Sequence, residues 1–151
     1  MAEYSANIVQ TINPGETAVF STVEPCNRGF VRHREDTGSF LLSGWTPYNG
    51  CYRRKNAQYL IDFGANIAVP TGGTVEAISV AISIDGTTVP STEMIVTPAA
   101  VEEYFNVSRA VNISVWNGCC ETVAIRNTSS QPILMQNANI IFSRPDLAVT
   151  R

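Results

Sequence analysis

Short apolar segments separated by turn-forming residues run along the whole of this chain. The clearest is Thr74–Ile84, where branched apolar residues alternate with Ser and Ala. An alternation with a period of two predicts a half-buried strand. Asp85-Gly86 follows it as a turn signal, because Gly accepts the positive φ that tight turns require. A chain patterned in this way folds into sheets rather than into a helix bundle.

The same pattern predicts further strands on both sides of this one. They are expected at Ala6–Gln10, Thr17–Thr22, Gly29–Arg34, Ser39–Ser43, Tyr59–Phe63, Asn66–Val69, Thr87–Pro90, Asn106–Val115, Glu121–Asn127 and Ile133–Ser143. Only Pro98–Phe105 has the composition of a short helix, with the proline suited to its first position. About eight to ten strands with a turn every 8–12 residues or so predict an all-β protein, an antiparallel sandwich or barrel.

The length of 151 residues gives room for one domain with a sizeable core. We find no internal repeat or linker, so a single domain over residues 1–151 is expected. The ends, Met1–Asn7 and Ser143–Arg151, are polar and are predicted to be short terminal arms. The N-terminus lacks the basic start and apolar run of a signal peptide. No apolar stretch approaches the roughly 20 residues that span a bilayer, so no membrane partner is expected.

The chain carries unusually little charge. Charged residues make up 15% of it, against roughly 25% in an average soluble domain. We therefore expect part of its surface to be covered by partner proteins. The net charge of −3 argues against a nucleic-acid partner. The cations cluster in two places, Arg28/Arg32/Arg34 and Arg53/Arg54/Lys55.

Groups suited to catalysis are scarce. The single histidine, His33, lies between Arg32 and Arg34, and neighbouring cations make it a poor general acid. It is interpreted as an exposed or hydrogen-bonded strand histidine. No nucleophile elbow, phosphate-binding loop, zinc-protease or dinucleotide motif occurs in the sequence. We expect a protein that is not an enzyme and needs no cofactor.

Four cysteines leave two interpretations open. Cys119 and Cys120 are adjacent, and neighbouring strand residues point to opposite faces, which suits zinc ligation badly. No metal site is therefore expected. Free, buried thiols are the default for a protein made in the cytosol. A disulfide between Cys26 or Cys51 and the adjacent pair is the alternative if the protein ends in an oxidising place.

Aromatic residues are the other candidates for function. Trp45, Tyr48 and Tyr52 lie in one loop-like stretch, and such residues either anchor a subunit contact or stack against a sugar ring. Enrichment of Tyr and Trp at protein interfaces favours the contact, with a glycan as the alternative partner. The other interface candidates are Arg53, Arg54, Tyr104, Phe105 and Phe142.

Three segments carry a family resemblance. Gly38–Gly44, Ile82–Pro90 and Ala138–Phe142 resemble, in order and composition, segments of the trimeric jelly rolls of the tumour-necrosis-factor and complement globular-head kind, which include bacterial members. The resemblance implies a jelly-roll β-sandwich that assembles as a homotrimer. It bears more on the fold than on the function.

Bacterial members of this family usually cap a collagen-like stalk, and no such repeat occurs in this sequence. A small jelly roll with little charge and no catalytic set looks more like a bacteriophage structural protein. The leading expectation is a trimeric virion module, a capsid decoration or head-fibre protein, made in the host cytoplasm and bound to a major capsid or other virion protein. The alternative is a carbohydrate- or receptor-binding head of a bacterial cell or spore surface, or of a phage fibre.

Overall fold

The structure is a computed structural model, and it describes residues 1–23, 30–34, 38–47, 55–118 and 120–147. Almost all of the regular structure in these ranges is extended. In chain order the strands are β1 Ala2–Ala6, β2 Gln10–Ile12, β3 Thr22–Val23, β4 Val31–Arg34, β5 Ser39–Ser43, β6 Asn56–Ala68, β7 Ile78–Ile84, β8 Thr87–Thr88, β9 Met94–Val96, β10 Phe105–Trp116, β11 Cys120–Asn127 and β12 Ile133–Ser143. Within the described ranges, two single-turn 3-10 helices lie at Pro90–Thr92 and Pro145–Leu147.

The strands form two antiparallel sheets. The first has the order β10-β6-β12-β1-β3, with β2 also beside β12. The second has the order β4-β5-β11-β7-β8, with β9 also beside β7. Strands close in sequence are therefore placed in opposite sheets, as β10, β11 and β12 show. The predicted fold class, an all-β antiparallel jelly-roll sandwich, is confirmed.

The core lies between the sheets and is aromatic at its centre. Phe40 is fully buried, and its ring centroid lies 4.8 Å from that of Tyr4, 5.3 Å from that of Phe20 and 4.9 Å from that of Phe142. Phe40 belongs to the second sheet, whereas Tyr4 and Phe142 belong to the first. Tilted and edge-on contacts of this kind add to the free energy gained from burying the rings. The cluster therefore joins the two sheets.

Phe142 is consequently not an interface residue, and that prediction is wrong. Its side chain is 1% exposed. The alternation along β12 turns Ile140 and Phe142 inward and leaves Ile141 half-buried on the other face. A charge at position 142 would be buried without a partner and would unfold the domain.

The N-terminal segment is also not an arm. Residues 2–6 form β1, which pairs with β12 along its whole length, from Ala2 opposite Phe142 to Ala6 opposite Ala138. β3 pairs on its other side. Tyr4, in the middle of this strand, is 1% exposed. The segment looks polar in the sequence because Glu3 and Ser5 alternate with the core residues. Ala2, Tyr4 and Ala6 face the core, while Glu3 and Ser5 lie on the outer face of the sheet.

Two local predictions also need correction. The strand expected at Thr74–Ile84 begins only at Ile78, and both of its faces are buried. Its small side is covered because Ser79 contacts the loop at 128–129, where its amide donates to the Ser129 hydroxyl at 2.7 Å. The helix expected at Pro98–Phe105 is absent. Glu102 has a φ of +56°, which ends any helical turn there, and Phe105 begins β10.

Gly38, just before β5 of the second sheet, lies very close to the backbone of Ala18. Gly38 has a φ of +64°, and a Cβ there would lie 1.9 Å from the carbonyl oxygen of Ala18. Gly38→Ala is therefore expected to destabilise the domain by about 3 kcal/mol, since the backbone at residue 18 or at residue 38 must move to relieve the overlap. Gly86→Ala is the matched control. Gly86 has a φ of +83° with open space around it, so the variant should cost only the left-handed conformation, about 1 kcal/mol. Equal melting temperatures for the two variants would contradict this account.

Candidate functional site

An open groove lies on the outer face of the second sheet, at the end where β4 begins and β5 ends. Its volume is about 490 Å³. The strand register brings its members together, because Arg32 lies opposite Leu41 and Ser43 lies opposite Cys120. We call it the Trp45 groove; it is lined by Phe30, Arg32, Leu41, Ser43, Gly44, Trp45, Asn117, Gly118 and Cys120.

Trp45 is the outermost layer of a four-membered stack. Its indole lies almost parallel to the ring of Phe30, with the centroids 5.7 Å apart and the planes 17° apart. The Arg144 guanidinium lies 5.0 Å from the Phe30 centroid and 4.9 Å from the Tyr59 centroid. Arg144 therefore binds two aromatic rings through cation–π contacts. Trp45 itself remains 47% exposed, so the stack presents a supported indole to solvent.

A buried ion pair holds Arg144 in this position. Its Nη2 donates to Asp146 Oδ2 at 2.8 Å and its Nε donates to Asp146 Oδ1 at 2.9 Å, with both side chains almost wholly buried. Burial opposes ionisation of Asp146, but the hydrogen bonds and charge of Arg144 outweigh it and hold the pKa of the carboxyl below its ordinary value. Burial likewise opposes the charge on Arg144, but Asp146 and Tyr59 together more than offset it, so the pKa of the guanidinium is raised.

Hydrogen bonds connect this pair to the backbone of the groove. Arg144 Nη2 donates to the Trp45 carbonyl oxygen at 3.0 Å. The Tyr59 hydroxyl donates to the Ser43 carbonyl oxygen at 2.6 Å and lies 3.2 Å from that of Phe30. Burial raises the pKa of Tyr59, and the positive charge of Arg144 offsets this only in part. Both segments that carry the stacked rings, around residues 30 and 45, are therefore tied to the inner layers of the stack.

The charge beside the groove is positive. Arg32 lines the groove, and Arg34 lies two residues further along β4 and hence on the same face. Both side chains are exposed. Within the described ranges, neither guanidinium has a hydrogen-bonding or ion-pair partner, and no carboxylate lines the groove.

A second surface, on the outside of the first sheet, differs from an ordinary solvated face. Most of its outward side chains are small or uncharged, and Asp62 carries the one formal charge. We call it the β6–β10 face; it consists of Gln58, Leu60, Asp62, Gly64, Asn66, Asn106, Ser108, Ala110, Asn112 and Ser114. Cross-strand hydrogen bonds link Ser114 to Gln58 and Asn106 to Asn66. At its centre, around Gly64 and Ala110, lies an open hollow of about 520 Å³, whose lining also includes Asp62 and Arg109.

The predicted site residues are dispersed. Trp45 lies in the groove, while Tyr104 and Phe105 lie at the start of β10, the first half-buried and the second 37% exposed. The candidates Tyr48, Tyr52, Arg53 and Arg54 lie outside the described residues. Of the four cysteines, Cys120 is exposed in the groove, whereas Cys26, Cys51 and Cys119 lie outside the described part of the chain. The disulfide therefore stays a prediction.

Sequence reasoning missed the groups that support Trp45. Arg144 and Asp146 lie in the segment predicted to be a polar C-terminal arm, although their side chains are buried. The sequence does contain one indication of this pair, Arg144-Pro145-Asp146, because opposite charges on either side of a proline favour a compact turn. Tyr59 was interpreted only as a strand residue. Nothing in a single sequence indicates that it lies under residue 144.

His33 is not fully exposed, which corrects the first of its two sequence interpretations. It is half-buried, and its ring stacks on Phe40 with the centroids 4.8 Å apart and the planes 15° apart. The Tyr4 centroid lies 4.9 Å away. Alternation along β4 explains this position, because Arg32 and Arg34 face outward and the residue between them faces the core.

Two further observations concern absences. Among the residues that the structure describes, no three of His, Cys, Asp and Glu are grouped as metal ligands would be. No helix in the same ranges is long and apolar enough to cross a membrane.

Comparison with solved structures agrees with the strand topology. The Eiger TNF of S. frugiperda superposes with a TM-score of 0.69 at 11% identity, covering 99% of this chain and 93% of that one. The globular domain of zebrafish complement 1qA superposes with a TM-score of 0.59 at 7% identity, covering 95% of each chain. This chain has a TNF/C1q-like jelly-roll fold. No protein-family model matches it, and no curated protein matches it in sequence.

The Arg144–Asp146 pair makes a prediction about pH. Because the pKa of Asp146 is lowered on folding, the pair stabilises the domain above about pH 4, the ordinary range of a free Asp. That contribution is lost as the pH falls through the folded pKa. Asp146→Asn should lower the stability at pH 7 by about 3 kcal/mol, since Arg144 would remain buried without its counter-charge. The variant should also lose less stability than the native chain on acidification.

Chemical denaturation at pH 7 and at pH 3 measures both effects. Glu102→Gln is the matched control, because it changes an exposed carboxylate outside both the groove and the β6–β10 face and should alter stability by less than about 0.5 kcal/mol. If Asp146→Asn were as stable as the control variant at pH 7, the pair would not support the groove.

Proposed function

We propose that this chain is a non-enzymatic, homotrimeric module that packs against other protein chains. The observation that carries the proposal is the composition of the β6–β10 face. Solvated sheet faces carry alternating charged and polar side chains. This one presents small and amide side chains with Asp62 as its one formal charge. Covering such a face with a second protein surface costs less desolvation free energy than covering a charged one.

The edge of the same sheet supports this proposal. β10 is 12 residues long and pairs with β6 on one side only. Proteins usually protect a long edge strand with Lys, Pro or a bulge. β10 contains neither Lys nor Pro, Arg109 is its one charged residue, and its register with β6 is unbroken from Phe105 to Trp116. Phe105 and Trp116, at its two ends, are 37% and 63% exposed. A neighbouring subunit would cover both the edge and these rings.

The proposal of three subunits in the assembly is based on the family resemblance. The jelly rolls that the sequence resembles are trimeric, and the fold likeness to Eiger TNF and complement 1qA supports the same architecture for this domain. In a closed cyclic trimer each copy uses the same pair of complementary surfaces. The hollow at Gly64 and Ala110 would then receive a side chain from the next subunit, which would fill its volume.

We place this trimer, as the finer proposal, in a virus particle, as a bacteriophage capsid decoration or head-fibre protein. Its support is the low charged fraction of 15%, which suits a surface covered by neighbours. A three-fold module fits the local three-fold positions of an icosahedral shell, where a modest contact repeated three times gains avidity. The cluster Arg53/Arg54/Lys55 is the proposed contact with an acidic capsid surface.

Self-association is tested on the β6–β10 face. Light scattering should give about three times the 16.4 kDa chain mass. Ala110→Arg is expected to yield folded monomer, because three guanidinium groups would be brought into a desolvated contact. Thr87→Arg introduces the same side chain on β8 of the other sheet and should leave the trimer intact. A native chain that remains monomeric at micromolar concentration would exclude this assembly.

The virion location is tested separately. Purified particles should contain the protein at stoichiometric copy number. Arg53→Glu with Arg54→Glu should weaken attachment to the particle without dissociating the trimer. If the trimer forms but particles lack the protein, the module belongs to another surface, and the binding-head alternative replaces the virion assignment.

A further inference from the structure

We infer that the Trp45 groove is a binding site for a pyranose sugar that carries a carboxylate. The inference concerns the outer face of the second sheet. It does not depend on the trimer, whose proposed contact lies on the first sheet.

The platform for the sugar is the exposed indole. Pyranose rings present a face of C–H groups that stacks on aromatic rings, and Trp offers the largest such surface. One side of Trp45 is already covered by Phe30, while 47% of the residue remains exposed. Arg144 and Tyr59 support Phe30 from behind. Because the stack is held by a buried ion pair, little side-chain entropy remains to be lost on binding.

The polar groups around the indole suit hydroxyls. Ser43 and Asn117 line the groove beside Trp45. The Ser43 hydroxyl accepts a hydrogen bond from the Trp45 amide at 3.1 Å, and the Asn117 amide donates to the Thr46 hydroxyl at 3.1 Å, so both side chains are oriented. The volume of about 490 Å³ lies within the usual range for small-ligand sites.

The positive charge of Arg32 and Arg34 favours a sugar that carries a negative group. Arg32 lines the groove and Arg34 follows on the same face, about 7 Å further along β4. A guanidinium binds a carboxylate through two parallel hydrogen bonds. No carboxylate among the described lining residues competes for Arg32. An acidic peptide would share this charge preference, but Leu41 is the one aliphatic side chain among the described lining residues, so the apolar side chains of a peptide would have little to pack against.

The test uses matched sugars and a single-tryptophan background. The chain contains two tryptophans, so Trp116→Phe leaves Trp45 as the one indole reporter. This protein is titrated with oligosaccharides that end in glucuronic acid, galacturonic acid or N-acetylneuraminic acid. Each is paired with its carboxyl-reduced form, in which the carboxylate has become a hydroxymethyl group. An acidic peptide without sugar forms the third arm.

At least one acidic glycan should change the Trp45 emission and bind about tenfold more tightly than its reduced form. Arg32→Gln should bring that ratio close to one, and added salt should lower it in the native protein. Arg109→Gln is the matched control. Arg109 lies on β10 and donates to the Glu93 carbonyl oxygen, so its replacement should leave the ratio unchanged. Trp45→Ala, read by calorimetry, should weaken binding of both glycan forms by about tenfold or more.

Three results would overturn the inference. They are equal affinity for the acidic and reduced glycans, affinity that survives Trp45→Ala in a folded protein, and binding of the peptide alone. Folding of each variant is checked by its melting transition, and oligomeric state is recorded beside each titration. Loss of the trimer with retained glycan binding would contradict the assembly and leave the groove assignment standing.

Discussion

The contact of Phe40 with Tyr4 and Phe142 is what makes two sheets into one domain. β5 belongs to the second sheet, while β1 and β12 belong to the first, and their rings meet within 5 Å of Phe40. Each sheet alone would expose one apolar face to water, and a sheet is stable only when that face is covered. The strand order brings the three residues together from opposite parts of the sequence. Their packing therefore depends on the whole topology being formed.

The Trp45 groove likewise depends on contacts between the two sheets. Tyr59 is on β6, Arg144 follows β12, and both lie at the rim of the first sheet. The rings that they support, Phe30 and Trp45, flank β4 and β5 of the second sheet. The stack thus spans both sheets at one end of the sandwich, with a guanidinium between aromatic rings in place of a purely apolar contact. The outward face of the second sheet is in this way shaped by residues of the first.

The sequence predicted the strands well where alternation was strong and the bounding turns were clear. β12 has the expected bounds, Ile133–Ser143, and β10 extends the expected Asn106–Val115 by a residue at each end. The sequence pattern failed to predict strands where distant chain segments bury the residues. Residues 2–6 look polar and yet form an inner strand, and Gly64, which separated two predicted strands, lies inside the continuous β6.

The candidate site was predictable only in part, for the same reason. An exposed tryptophan in a loop is visible in the sequence. Its support is not, because Arg144 lies 99 residues from Trp45 and contacts it only in the folded domain. The shared outward face of Arg32 and Arg34 follows from strand alternation. The proximity of Asn117 to Ser43 follows from the pairing of β11 with β5, which places Cys120 opposite Ser43, and it cannot be derived from spacing.

The position of Arg144 along the chain has a consequence for how the protein is made. A ribosome releases residues 30 and 45 long before residue 144 is synthesised. The nascent chain can therefore carry Trp45 without the stack that holds it rigid. The order of synthesis delays the formation of the Trp45 groove until the final described strand, β12, has been inserted between β6 and β1. In a partially built or misassembled domain the Trp45 indole would be mobile. A rigid groove therefore forms only when the whole sandwich is complete.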